Sequence, residues 1–393
     1  SLISLGINVI DLDLSTTPTV ELMVKEYNAD GGIIITASHN PTEWNALKLL
    51  DENGEFLNSV EGEKIIDISE SKKFIFSNVH ELGKIYKSND SMKKHIECVL
   101  NLNLVDVEKI KSKKIKVVVD AVNSTGGLIV PDFLEELNIE VIKLYCEPNG
   151  DFPHNPEPLK KNLTELSKKV IECNADLGIA VDPDVDRLVF VCEDGELFGE
   201  ENTLVACADY VLSKTPGSTV SNLSSSRALN DITKKHNQVH YYSAVGEVNV
   251  VDKMKKCKAV IGGEGNGGVI YPKSHYGRDS IVGIGLFLSL YVERGLIASK
   301  LLETYPKYFM VKEKINLSPS LDVDNILGQI AEKYKNENID LVDGVRIDFK
   351  DSWVQLRKSN TEPIIRIYSE AKSNDKASEL IKEIEILIKN IIS

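Results

Sequence analysis

Short apolar runs alternate along the chain with longer stretches in which apolar positions recur every three or four residues. "IKVVVDA" (Ile115–Ala121), "DLGIAVD" (Asp176–Asp182) and "KAVIGGE" (Lys258–Glu264) read as buried strands. "VPDFLEEL" (Val130–Leu137) and "LTELSKKVIECN" (Leu163–Asn174) read as helices between them. Strands covered on both faces need no polar alternation, so this pattern predicts βαβ units with mostly parallel sheets. The end of the chain differs. Leu341–Ala371 alternates like antiparallel strands, and a helical pattern fills Asp375–Ser393. That predicts a small α+β domain. The shifts in pattern divide the chain into 1–100, 101–199, 200–308 and 309–393.

One motif recurs. "IIITASHN", "LGIAVDPDVD" and "AVIGGEGNG" each run an apolar strand into a small, polar loop. Ligands of open α/β sheets sit beyond the carboxyl ends of strands, so three such loops are expected to face one cleft. The strand before Ser38 is expected to be buried.

Composition narrows the class. The 393 residues suit two to four domains at roughly 100–200 residues each. A hydrophobic fraction of 42% and a charged fraction of 27% are those of a soluble globular protein. The apolar stretch Ile281–Val292 is too short to span a bilayer, and no basic segment with an apolar core opens the chain. The six cysteines form no C-x-x-C pair, which suggests reduced thiols and a cytoplasmic location. A net charge of −14 should repel nucleic acid and anionic membranes, so neither is an expected partner. Phosphate binding would then need local basic groups or backbone N–H groups, which makes a compact cluster of arginines informative.

The candidate chemistry lies in the loops. "DPDVDR" sets Asp182, Asp184 and Asp186 at alternate positions, which on extended backbone project to one face. Three close carboxylates repel one another unless a cation sits among them, and Mg²⁺ is the natural hard ion. An EF-hand is ruled out because its turn glycine is replaced by Arg187 and its flanks are strand-like. A solvated acidic turn is the plain alternative. "GGEGNGG" contains G-x-G-x-x-G, but Val269–Pro272 follows where a dinucleotide site needs a helix. The loop instead offers Glu264 and Asn266 to sugar hydroxyls, or is a simple glycine-rich turn. "RKSNTEPIIR" carries Arg357, Ser359, Asn360, Thr361 and Arg366, suited to phosphate or to a polar turn. Ser38 alone reads as a cap for a helix after Pro41, and no G-x-S-x-G surrounds it. His39 is beside it, and Lys48 alone reads as an exposed strand lysine. "SNLSSSRAL" (Ser221–Leu229) and "YGRDS" (Tyr276–Ser280) read as helix caps, with the reach of Arg278 left open.

Taken in order, "TASHNP", "DPDVDR", "GEGNGG" and "RKSNTEP" resemble the α-D-phosphohexomutase family. The resemblance implies three related α/β domains and a smaller C-terminal α+β domain around a central cleft. It implies transfer of a phosphoryl group between O6 and O1 of a hexose phosphate, with a hexose 1,6-bisphosphate as activator. Ser38 would be the phosphoserine, and its phosphate with Asp182, Asp184 and Asp186 would hold Mg²⁺. Glu264 and Asn266 would grip the sugar. Arg357, Ser359, Asn360, Thr361 and Arg366 would hold the phosphate that is not reacting. Lys48 matches the general acid/base, expected to have a lowered pKa between cations, and His39 and Arg187 match residues lining the site. "GEGNGGVIYP" and "AVGEVNV" look most like the phosphoglucosamine mutase branch. The phosphomannomutase/phosphoglucomutase branch usually has serine at Asn266, and other relatives have histidine at Gly268 or lysine at Ala244. The family also has a strand and an Arg/Gly-rich loop well before the serine motif, so the first domain is expected to be incomplete at its N-terminus. A monomer or homodimer is expected. A serine-nucleophile, metal-dependent phosphatase and a non-catalytic sugar-phosphate binder are the competing hypotheses.

Overall fold

The computed structural model describes residues 1–40, 44–316, 322–358 and 364–392. In the first part, β1 (Val9–Asp11), β2 (Gly32–Ile35), β3 (Leu47–Leu50) and β4 (Ile85–Lys87) form two separate two-stranded sheets. β1 pairs with β4 in parallel, and β2 pairs with β3 antiparallel. The expectation of a buried strand before Ser38 is corrected here. Ile34 is buried, but Ile33 and Ile35 are 45% and 71% exposed, because a sheet of two strands leaves one face and one edge open. The helix expected after Pro41 is also absent among the described residues: 44–46 are irregular and lead directly into β3.

The next two sheets share one topology. β5 (Lys116–Asp120), β6 (Glu140–Leu144), β7 (Leu177–Val181) and β8 (Leu188–Cys192) take the order β6-β5-β7-β8. β9 (Thr219–Asn222), β10 (His240–Ser243), β11 (Ile261–Glu264) and β12 (Gly268–Ile270) take the order β10-β9-β11-β12. In each, three strands are parallel and the last is antiparallel. Every residue of β7 and β8 is buried, as continuous apolar runs require.

A local unit repeats three times: a strand, a polar loop, an antiparallel strand, an isolated bridge and a helix. The hairpins are β2–β3, β7–β8 and β11–β12. The bridges are Leu50–Phe56, Val191–Leu197 and Ile270–Arg278. The helices are Ser59–Ser71, Glu200–Lys214 and Ser280–Arg294. Phe287 of the last helix stacks on Phe190 of β8 with centroids 3.8 Å apart, so the second and third sheets share one core. That shared core holds their loops in one frame.

The chain ends in an antiparallel sheet of β13 (Phe309–Asn316), β14 (Asn338–Asp340), β15 (Val345–Asp348), β16 (Ser352–Lys358) and β17 (Ile364–Ala371), ordered β13-β17-β16-β15-β14. Ile326 and Ile330 of one helix and Ile381, Ile384 and Ile388 of another cover one face. The other face docks on the third part: Ser224 Oγ donates to Gln355 (2.6 Å), and the Arg227 N–H donates to Glu370 (3.0 Å). No helix among the described residues is long and apolar enough to cross a membrane, and all six cysteines are free.

Candidate active site

The loops after β2, β7 and β11 meet at one cleft. In the loop after β7, Asp182, Asp184 and Asp186 are all buried, and one carboxylate oxygen of each lies within 4.8 Å of the others. Strand alternation is not the cause. Residues 183–185 turn, and Val185 adopts φ 66°, a strained conformation for a β-branched residue. Asp182 Oδ1 closes the turn by accepting from the N–H groups of Asp186 (3.1 Å) and Arg187 (3.0 Å). Asp184 Oδ1 and Asp186 Oδ1 are buried without a hydrogen-bond partner. Such orphaned anionic oxygens, all hard donors, fit a divalent cation such as Mg²⁺.

Ser38 reaches this cluster from the loop after β2. Its backbone is left-handed at φ 50°, and its N–H donates to Thr36 Oγ1 (2.9 Å). Its Oγ lies 3.2 Å from Asp182 Oδ2 and 3.3 Å from His39 Nδ1. Arg187 Nη2 sits 3.2 Å from His39 Nε2, and Arg187 Nη1 donates to Glu157 (3.3 Å). Arginine can only donate, so His39 Nε2 must accept and its proton must lie on Nδ1. His39 therefore donates to Ser38 Oγ, and the Ser38 hydroxyl donates to Asp182. Burial, then Arg187, lowers the His39 pKa to about 4, so the ring is neutral. Glu157 carried no signal in the sequence beyond its place in a polar loop.

Lys48 on β3 points into the cluster, 2.6 Å from Asp184 Oδ2 and 3.3 Å from Asp186 Oδ2. The expectation of a lowered pKa is corrected. Burial acts in that direction, but Asp186 and Asp184 outweigh it and raise the ammonium pKa. For Asp186 burial is likewise outweighed, by Arg278 first and then Lys48 and Arg187, so its carboxyl stays well below the usual range. Burial, with Asp186 and Asp184 beside it, raises Asp182. Thr17, at the start of the helix Thr17–Glu26, donates through Oγ1 to Asp184 Oδ2 (2.6 Å).

Glu264, at the end of β11, faces the same cleft. Its Oε1 accepts from Asn222 Nδ2 (2.7 Å) and the Gly246 N–H (3.1 Å). Ser225 Oγ accepts from the Gly265 N–H (2.9 Å), so "SNLSSSRAL" holds the glutamate loop; the N-cap of the helix Ala228–Lys235 is Arg227, without a side-chain cap, and Ser226 Oγ accepts from the Ala228 N–H (3.1 Å). Asn266 is partly exposed, and its Oδ1 accepts from the Gly268 N–H (3.2 Å). In "YGRDS" Asp279 is the expected cap, accepting from the Ile281 and Val282 N–H groups. Arg278, its neighbour, does more than a cap. It donates to Asp186 (2.6 Å), Glu264 (2.8 Å) and Glu247 (3.0 Å).

In the C-terminal sheet, Arg366 pairs across strands with Arg357 on one side and Lys314 on the other. Directly opposed residues share a face, and like charges there repel, so this row suits an anion. Arg357 is also 3.7 Å from Asp343. Ser359, Asn360 and Thr361 lie outside the described residues.

Domain models of phosphoglucomutase/phosphomannomutase match the chain in order: α/β/α domain I over 1–76, domain II over 93–195, domain III over 200–308 and the C-terminal domain over 316–387. A phosphoglucomutase/phosphomannomutase of Thermococcus kodakarensis is 38% identical over 97% of this chain and 83% of its own length. A phosphoglucosamine/phosphogalactosamine mutase of Sulfurisphaera tokodaii is 33% identical over 98% of this chain and 86% of its own. A crystal structure of a phosphoglucomutase/phosphomannomutase family protein from Burkholderia thailandensis superposes with a TM-score of 0.84 at 24% identity, over 99% of this chain and 84% of that one.

Proposed function

Because the chain belongs to the phosphoglucomutase/phosphomannomutase family of phosphohexomutases, a family of isomerases, we propose that it converts glucosamine 6-phosphate to glucosamine 1-phosphate. Ser38 is the phosphoryl carrier in this reading. The phosphoryl group passes from Ser38 Oγ to a sugar hydroxyl, which loses its proton as Ser38 Oγ gains one, so the protonation of the site is unchanged overall. The resulting bisphosphate turns over and returns its other phosphoryl group to Ser38. A hexose 1,6-bisphosphate serves as activator by recharging the serine.

The observation that carries the reading is the 3.2 Å approach of Ser38 Oγ to Asp182. It joins a hydroxyl in one loop to the carboxylate cluster of another. Asp182, Asp184 and Asp186 would hold Mg²⁺, which when bound polarises the transferring phosphoryl group and offsets its charge. His39 donates to the oxygen at which the phosphoryl group leaves and returns. Lys48, held protonated by its carboxylates, is placed to donate a proton to a sugar oxygen. Glu264 and Asn266 read hydroxyls, and Arg357 with Arg366 holds the distal phosphate, joined by Ser359, Asn360 and Thr361.

The amino sugar rests on Asn266 within "GEGNGGVIYP" and on the Sulfurisphaera relative's name. The Thermococcus relative supports a second reading, glucose or mannose phosphate. Coupled assays with each hexose 6-phosphate, Mg²⁺ and the matching bisphosphate separate them. Fastest turnover of glucosamine 6-phosphate is expected. Faster turnover of mannose 6-phosphate would overturn the substrate, and free phosphate without isomer would point to a phosphatase. Ser38→Ala should lower turnover by roughly 10³-fold or more.

A further inference from the structure

The threefold repeat makes Arg278 comparable with two other residues. The bridge position after the hairpin is Phe56 in the first copy and Leu197 in the second. Both are apolar and pack onto hydrophobic clusters beneath their sheets. The third copy places Arg278 there, and its side chain turns to carboxylates instead. One guanidinium reaches Asp186 in the loop after β7 and Glu264 at the end of β11. Glu247, at the start of the helix Glu247–Cys257, grips it twice, accepting from Arg278 Nε (3.0 Å) and from its backbone N–H (2.8 Å). Gly268 leaves the space for it: a Cβ there would stand 2.3 Å from Arg278 Cδ.

All four residues of this cluster are buried. Taking a guanidinium and three carboxylates out of water is costly, and packing alone would be served as well by the apolar residues of the other copies. Arginine's planar fork is also the one side chain able to hold several carboxylates in fixed directions. Lysine at this position would keep the charge but offer a single nitrogen.

We propose that Arg278 is a positioning residue that couples the cation-binding loop to the sugar-binding loop, with Glu247 and Gly268 holding it in place. Asp186 and Glu264 share one rigid partner, so whatever moves either carboxylate shifts the other. Divalent-cation affinity and hydroxyl recognition are thereby linked, and each ligand strengthens the other. The sugar arm of this inference rests on the mutase reading, whereas the link between the loops does not.

The test uses the full chain and Mn²⁺ as a spectroscopic probe, titrated by electron paramagnetic resonance without sugar and without turnover. Glu264→Gln should shift the Mn²⁺ dissociation constant by about fivefold or more in the otherwise unaltered protein. In an Arg278→Lys background the same substitution should shift it by less than about twofold, because the bridge is gone. Gly268→Ala, which crowds Arg278 and changes no charge, should mute the effect in the same way. Equal shifts in all three backgrounds would show only the direct field of Glu264 and overturn the proposal, as would no shift in any. A second arm measures glucosamine 6-phosphate binding by calorimetry. Mg²⁺ should tighten it about fivefold or more in the unaltered protein and not in Arg278→Lys. Loss of glucosamine 6-phosphate binding in every protein, with the Mn²⁺ cycle intact, would sink the glucosamine substrate alone. Sugar binding with a flat Mn²⁺ cycle would sink the coupling alone.

Discussion

Arg187 has no acceptor to offer, and that orients the chain of hydrogen bonds from Glu157 through His39 and Ser38 to Asp182. Adjacency of a serine and a histidine does not by itself make the ring a base. The direction of these bonds makes His39 a donor to Ser38. His39→Asn, whose amide nitrogen can stand near the Nδ1 position, should keep most of the turnover, whereas His39→Ala should lose roughly 10²–10³-fold in kcat. Equal losses in the two variants would sink the donor role. Thr17 acts one step further out, through its bond to Asp184 Oδ2. Thr17→Val removes that bond and leaves the backbone contact from the Thr17 N–H to the Asp184 carbonyl (3.0 Å). Mg²⁺ affinity, read by calorimetric titration, should fall roughly 10–100-fold with the fold intact. The aspartates were legible in the sequence as a candidate cation site because three closely spaced carboxylates announce their chemistry, whereas Ser38 alone read as a helix cap and stood out only through the ordered motifs. Arg278 was legible only as the neighbour of a helix cap, since nothing local says where a long side chain ends.

Between elements, the helix Ser280–Arg294 is tied to the first part of the chain by a buried chain of groups. Asp279 caps the helix through Oδ1, and its Oδ2 lies 2.9 Å from His95 Nε2 and 3.1 Å from His275 Nε2. His275 Nδ1 lies 3.2 Å from Glu21, on the helix Thr17–Glu26. Burial opposes the charged ring, but the bond to Asp279 and the nearby Glu21 carboxylate outweigh it and raise the His275 pKa to about 10. The folded pKa exceeds the ordinary His value of about 6.5, so this stabilisation is complete below that value and is lost as pH rises through about 10. Urea midpoints should therefore decline from pH 7 to 10, and His275→Gln should flatten the decline. An unchanged slope in that variant would place the alkaline sensitivity elsewhere. Element identity itself was well foreseen in the second and third sheets, where strands lie buried on both faces. It was misjudged at Ile33–Ile35, because an apolar run reports a tendency to be covered and not whether a neighbouring strand is there to cover it.

Across the whole molecule, the face of the C-terminal sheet that carries Arg357 and Arg366 also bears the docking contacts. Arg346 is fully buried there, bonded to the Leu223 carbonyl and to Asp348, with its guanidinium 4.4 Å from the Tyr242 ring and 4.2 Å from Trp353. Arg346→Ala should destabilise the protein by about 3 kcal/mol in denaturant titrations, by leaving polar partners unpaired and rings unpacked. It should also weaken phosphate binding, because docking positions the arginine row; intact binding would separate the two roles. The amino-acid sequence alone determined which loops gather acidic, glycine-rich and basic residues, which strands are apolar and that the last part pairs antiparallel. Those features depend on residue type and on spacing over a few positions. Tertiary structure alone decided that Lys48 pairs with carboxylates rather than cations, that His39 donates, and that Arg278 bridges two loops. These contacts join residues 136, 148 and 92 positions apart, and only the packing of separate sheets brings such groups within a hydrogen bond of each other.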